Sequence, residues 1–140
     1  MSKGLIDDVK MAGFIVADQL PKYYSAADFF IMPTRQLEGF GLVTVESMAC
    51  GTPVLGTPVG GTKEILSNFN SQLLFQGTSP EAMAKGIESA IDNYLKVANR
   101  YEQLRLQCRE YALRYYSWQR HINQLVSCID ELSCKKALPN

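Results

Sequence analysis

Histidine, tryptophan and net charge are what this sequence has least of: one His, one Trp, and fourteen Lys plus Arg against fourteen Asp plus Glu in 140 residues. Without a basic excess there is no drive toward a phosphate backbone, so nucleic acid is not an expected partner. No apolar run approaches the roughly 20 residues of a membrane span. The opening Met1-Ser-Lys-Gly-Leu-Ile-Asp-Asp turns acidic too early for the apolar stretch of a secretory signal. A soluble, cytoplasmic chain is expected. The four cysteines, Cys50, Cys108, Cys128 and Cys134, form no C-x-x-C pair, and His121 alone leaves no Cys/His zinc set. No metal site is therefore expected, and the thiols are read as reduced. A Ser-His-Asp or Cys-His centre would have to use His121, which lies in a stretch patterned as a solvent-facing helix.

What is there is core-forming: 46% of residues are hydrophobic, enough to close one domain. Val-Lys-Met-Ala-Gly-Phe-Ile-Val over 9–16 reads as a strand, followed by a brief helix through Ala27 that Asp18 can cap and Pro21 can enter. Phe29-Phe30-Ile31-Met32 is an unbroken apolar run, the pattern of a central strand buried on both faces. A loop follows over 34–40, and helical spacing from Gly41 to Ala49 puts Leu42, Val45 and Ala49 on one side. Then come a buried strand at Pro53-Val54-Leu55-Gly56, a small helix from Thr62 to Leu66 and a minimal strand at Leu73-Leu74-Phe75. Ser79-Pro80-Glu81 supplies an N-cap, a first-turn proline and an acid for a helix whose buried stripe is Met83, Ile87, Ala90, Ile91 and Tyr94. Such alternation implies an α/β fold with a Rossmann-like parallel sheet over 1–96.

From Val97 the pattern becomes helical throughout. Val97, Tyr101, Leu104, Cys108, Tyr111 and Tyr115 recur at three-four spacing, and Trp118, Ile122, Leu125, Ile129 and Leu132 repeat it. Each run is under three heptads, so the C-terminal amphipathic helices over 97–136 are expected to pack on the sheet rather than on a coiled-coil partner. The tail at 137–140 is expected to fray.

Open α/β sheets bind ligands beyond the carboxyl ends of their strands, which singles out the loops after Met32 and Leu55. The first, Thr34-Arg35-Gln36-Leu37-Glu38-Gly39-Phe40-Gly41, brings two glycines to a helix start, where free amides and the helix dipole favour an anion. Wound at ~100° per residue, Glu46 falls among Leu42, Ala49 and Cys50, inside the apolar arc. A carboxylate there must border a polar cavity or be bonded to something specific, a backbone amide, Arg35 or Lys63 being the bland options. The second loop places Gly60-Gly61 ahead of the next helix, so that both loops can face one ligand or the pair can be a plain tight turn.

The stretch Glu38-Gly39-Phe40-Gly41-Leu42-Val43-Thr44-Val45-Glu46-Ser47-Met48-Ala49-Cys50-Gly51-Thr52-Pro53-Val54 resembles the E-x7-E signature of retaining GT-B glycosyltransferases, family 4 in particular. Leu20 to Asp28, Met32-Pro33-Thr34, Val59 to Ile65 and Tyr116-Ser117-Trp118 fit the same family, so the resemblance covers about residues 9–120. It implies the C-terminal, donor-binding domain of such an enzyme. In that family the first glutamate contacts donor-sugar hydroxyls, the second binds ribose hydroxyls, and amides between them hold the diphosphate. Carried over, Glu38 is the candidate catalytic residue, and Glu38, Gly39, Phe40, Gly41, Leu42, Val43 and Glu46 bind the donor, with Gly60 and Gly61 as a possible second loop. The implied reaction is glycosyl transfer from a nucleotide sugar with retention, needing no protein nucleophile, no cofactor and no metal.

The family's acceptor domain and two further strand–helix units have no counterpart ahead of Val9, which leaves the strand expected at 9–16 without neighbours. A rearranged sheet, an edge pairing with another chain, or a fragment of a longer protein follows as the expectation. The isolated chain is then expected to be inactive, and the parent enzyme could sit peripherally at the cytosolic membrane face. The alternatives are a nucleotide-sugar-binding subunit completed by a partner, a GT-B sugar-nucleotide epimerase, and a remnant that merely folds. A glycan phosphorylase would need a pyridoxal-binding lysine, and Lys63 is not in such a motif.

Overall fold

A pair of short parallel strands, Phe30–Met32 (β1) and Val54–Gly56 (β2), forms the centre of the chain, with Phe30, Ile31 and Met32 opposite Val54, Leu55 and Gly56. The computed structural model describes residues 8–136. A parallel pair needs a crossover, here supplied by Leu42–Ala49 (α2 below). On its other side β2 meets a single parallel bridge, Gly56 to Leu74, and the Phe75 amide donates to the Gly56 carbonyl at 2.8 Å. The minimal strand expected at 73–75 is thus one bridge following a 3₁₀ turn, Ser71–Leu73. β2 is buried at every residue, whereas β1 is half-buried throughout. The central strand is therefore β2, and the apolar run at 29–32 lies at the edge.

Around the strands the helices are α1 (Leu20–Ala26), α2 (Leu42–Ala49), α3 (Gly60–Phe69), α4 (Pro80–Ala90), α5 (Arg100–Tyr116) and α6 (Trp118–Lys136). The α/β class with a parallel sheet stands. Ser79 caps α4 as expected, its hydroxyl accepting from the Ala82 amide, and Ala90 and Tyr94 are buried on the anticipated stripe. A π-helical turn, Ile91–Leu95, carries Tyr94 into the core. α3 is longer at both ends than the Thr62–Leu66 expected: Gly60 and Gly61 belong to its first turn, and it runs on to Phe69. On α5 the buried positions are Leu104, Cys108 and Ala112, packed over α2, and Tyr115 turns outward.

Two expectations need correction. Residues 9–16 form no strand: Val9, Met11, Phe14 and Val16 are exposed, and among the described residues no strand lies beside them. An alternating or apolar run forms no strand when no neighbour offers it amides and carbonyls. Asp18 also caps nothing, since it falls within a 3₁₀ turn, Ala17–Gln19, and α1 begins after it without a side-chain cap. The second correction concerns α6. Its stripe of Trp118, Ile122, Leu125, Ile129 and Leu132 is exposed, Trp118 by 79%. Extended backbone at Ser117 (φ −70°, ψ 145°) ends α5 and turns α6 away from the sheet. The tail at 137–140 lies outside the described residues, as does the side chain of Cys134.

The core joins Met48, Val54, Leu55, Ile65, Leu66, Leu73, Phe75, Leu104 and Cys108. Leu66 is 0% exposed, so Leu66→Ala is expected to lower unfolding free energy by about 2–5 kcal/mol, measured by urea titration. Burial also pushes the Cys108 thiol up from 9.0 to about 12. The folded state therefore holds this proton more tightly than the unfolded chain. Its contribution is complete below about pH 9 and is lost as pH rises toward about 12. Thermal melts should fall across that window, less steeply in Cys108→Ala; a flat profile would contradict this.

Candidate functional site

The E-x7-E segment begins in the loop after β1. Gly41 ends that loop with φ +80°, a left-handed conformation that suits glycine, and its carbonyl accepts the Thr44 and Val45 amides at 3.0 and 3.2 Å. This turns the chain into α2 and leaves the Leu42 and Val43 amides ahead of the first helical bonds, without a side-chain cap. Leu42 and Val43 line a cavity of about 310 Å³ together with Met32, Thr34, Glu38, Gly39 and Gly41, among others. Positive dipole and free donors thus coincide at an open concavity, an arrangement suited to an anion.

Glu38 lines the same cavity. The residue is half-buried, and its Oε2 is fully buried without a hydrogen-bond partner among the described residues. Leaving a buried carboxylate oxygen unpaired costs about 1–3 kcal/mol or more. Leu37, just before it, adopts φ +56° and is fully exposed, a conformation that costs a branched residue roughly 1–2 kcal/mol. Two unfavourable features thus sit side by side in the loop, the usual setting for a ligand contact.

The second glycine pair lies beneath this loop. The Gly61 amide donates to the Gly39 carbonyl at 2.9 Å. A Cβ on Gly61 would overlap the Phe40 carbonyl, and one on Gly60 would overlap Glu38. Gly60 and Gly61 therefore bring the start of α3 into backbone contact with the 38–41 loop, and the Gly61 donor is spent on it. Phe40 is fixed from the side, its ring edge-on to Tyr116 with centroids 5.9 Å apart.

Glu46 shares a face with Leu42 as the helical wheel has it, but that face is open rather than buried. It is exposed, on the same open side of α2 as Leu42, which is 64% exposed. The buried side of α2 is Thr44, Ser47 and Met48. Small hydroxyl side chains are buried here because each finds a partner: Thr44 bonds Thr62 at 2.7 Å, and Ser47 donates to the Thr52 carbonyl at 3.0 Å. Hydrophobicity alone could not show that. Among the described residues neither Arg35 nor Lys63 makes an ion pair with Glu46. Its partner is Tyr24, whose hydroxyl donates to Glu46 Oε2 at 3.2 Å. Burial first, then the charge and hydrogen bond of Glu46, push the Tyr24 hydroxyl up to about 12, so it stays a donor at neutral pH. Sequence reasoning passed over Tyr24; its signal was a tyrosine four residues before Asp28, on a helix with no other large buried side chain. Cys50, one turn on from Glu46, has its thiol pushed up by burial, with Arg109 opposing.

A family model described as glycosyl transferases group 1 matches residues 1–114. The D-inositol 3-phosphate glycosyltransferase of Salinispora tropica is 34% identical over 128 residues, 91% of this chain and 25% of that protein. The protein of the same description from Paenarthrobacter aurescens is 38% identical over 90 residues, 64% of this chain and 22% of its own length. Among solved structures, sucrose-phosphate synthase from Thermosynechococcus elongatus superposes with a TM-score of 0.76 at 29% identity, covering 92% of this chain and 31% of that one. The chain thus spans about a quarter of the length of the curated relatives it matches.

The contact between the two glycine loops makes a prediction of its own. Gly61→Ala should displace residues 38–43, seen as amide shift changes confined to that stretch in NMR spectra. Stability should drop by about 1–3 kcal/mol. Unchanged amides at 38–43 would show that the loop does not rest on α3.

Proposed function

Because this chain belongs to the group 1 glycosyltransferases, we propose that it is the donor-binding half of a retaining glycosyltransferase that takes a glycosyl unit from a nucleotide-diphosphate sugar. The observation that carries the reading is a glutamate, Glu38, that lines the cavity beside the start of α2 and whose Oε2 is buried without a hydrogen-bond partner among the described residues. An unpaired carboxylate acceptor suits sugar hydroxyls, and unbonded amides at a helix start suit a diphosphate. Glu46, exposed on the open face of α2, accepts the ribose hydroxyls in this reading. Gly39, Phe40 and Gly41 shape the loop between them.

In this reading the transferred sugar leaves the diphosphate with oxocarbenium character, and negative charge grows on the departing phosphate oxygens. The Leu42 and Val43 amides at the start of α2, not drawn into helical bonds, would stabilise that charge. Glu38 orients the sugar rather than attacking it. The reading needs neither cofactor nor metal and places the protein in the cytoplasm. The acceptor would be held chiefly by the remainder of a longer protein, since the relatives extend well beyond the matched region. A second reading is a nucleotide-sugar-binding subunit completed by another polypeptide. The bare stripe of α6 and the unpaired segment 9–16 favour it.

Ligand-observed NMR of the chain against uridine-, guanosine- and adenosine-diphosphate sugars tests both. Binding of one base series is expected, lost by at least about tenfold in Glu46→Ala, in keeping with charged hydrogen bonds of roughly 1.5–3 kcal/mol. Glu38→Ala should reduce the preference for the sugar nucleotide over the bare diphosphate. Unchanged affinity in Glu46→Ala would remove the ribose assignment, and silence across the panel would remove donor binding by this chain, the ribose assignment included.

A further inference from the structure

Glu46 is an exposed carboxylate on a helix surface, and such a side chain ordinarily samples several rotamers. Binding a vicinal diol with both oxygens requires one of them. The described structure supplies a constraint. Tyr24 is 7% exposed, and three separate contacts hold it: its ring packs edge-on against Phe30 with centroids 5.4 Å apart, its carbonyl accepts the Thr52 hydroxyl at 2.6 Å, and its own hydroxyl reaches Glu46 Oε2. Thr52 in turn receives the Ser47 hydroxyl on its carbonyl, so the chain of contacts returns to α2 one residue from Glu46. β1 and the turn before β2 therefore fix Tyr24 independently of Glu46, and Tyr24 fixes the carboxylate.

We infer that Tyr24 is a positioning residue for the ribose contact: its hydroxyl occupies one lone pair of Glu46 Oε2 and holds the carboxylate in the orientation that leaves Oε1 and the second Oε2 lone pair for the diol. This rests on the ribose role proposed for Glu46. No proton is transferred, because a phenol held in burial beside a carboxylate remains protonated. The affinity gain comes from ordering Glu46 before the ligand arrives, so that less rotamer freedom is lost on binding. The effect is specific to ligands that carry ribose hydroxyls. A general loosening of the fold would weaken every ligand alike.

The test compares wild type, Tyr24→Phe and Glu46→Ala for binding of UDP, GDP and ADP and of their 2′,3′-dideoxy counterparts, by titration calorimetry on the whole chain. Tyr24→Phe keeps the ring on Phe30 and the carbonyl for Thr52, so the fold is retained. The expected result is that wild type prefers one ribonucleotide to its dideoxy form, and that Tyr24→Phe cuts this preference about fivefold to tenfold. Affinity for the dideoxy form should stay within about twofold. If Glu46→Ala abolishes the preference while Tyr24→Phe leaves it intact, the positioning role is overturned and the ribose reading survives. If Glu46→Ala keeps the preference, or wild type binds none of the nucleotides, the ribose reading falls and this inference with it. Equal losses for ribo and dideoxy ligands in Tyr24→Phe would mark a merely structural tyrosine and overturn the inference.

Discussion

The site depends on one close approach of backbone to backbone, the start of α3 against the loop that precedes α2. At Gly61 there is no room for a side chain, and its amide donates to the Gly39 carbonyl. Everything above that contact inherits its geometry: the left-handed turn at Gly41, the amides of Leu42 and Val43 at the start of α2, and the depth at which Glu38 sits. A loop free to move would average its amide dipoles over many directions. A loop resting on a helix keeps them aimed at one place, which is the condition for electrostatic stabilisation of an anion.

Buried hydroxyls extend the same constraint through the domain. Thr44, Ser47, Thr52, Thr57 and Thr62 are all fully buried, and each bonds a carbonyl or another hydroxyl. Thr57 ties the end of β2 to Thr34 at the start of the glutamate loop at 2.5 Å, and Thr44 ties α2 to α3. Hydroxyls in these places allow helices and strands to approach more closely than leucines would, while satisfied partners remove the desolvation penalty. The layer beneath the candidate site is therefore polar, small and rigid, and the leucine-rich core lies farther down around Leu55, Leu66 and Leu73.

An aromatic chain links this layer to the C-terminal helices. Phe40 meets Tyr116, Tyr116 meets Tyr111, and Tyr111 meets Phe69 at the end of α3. The helix junction at Ser117 thus touches the glutamate loop directly, and a cavity of about 400 Å³ between Phe40, Leu42, Val45 and Trp118 lies where α6 departs. The orientation of α6 and the position of Phe40 are set by the same cluster of rings.

Elements with strong local signals were legible from the sequence alone. Ser79-Pro80-Glu81 specifies a helix start by its own chemistry, the run at 53–56 specifies a buried strand, and the density of the E-x7-E stretch specifies the family to which the chain belongs. Tertiary structure decided the rest, because each remaining feature depends on a neighbour distant in sequence. Among the described residues the segment 9–16 has strand-forming side chains but no strand to pair with, the run at 29–32 became an edge, and the stripe of α6 is left exposed. The wheel placed Glu46 among apolar residues because hydrophobicity ranks Leu42 above Thr44. The fold reversed that order, since Thr62 offered Thr44 a buried partner and Tyr24 met Glu46 at the surface. A helix's periodicity fixes which residues share a face, but the partners available across the fold decide which face is buried.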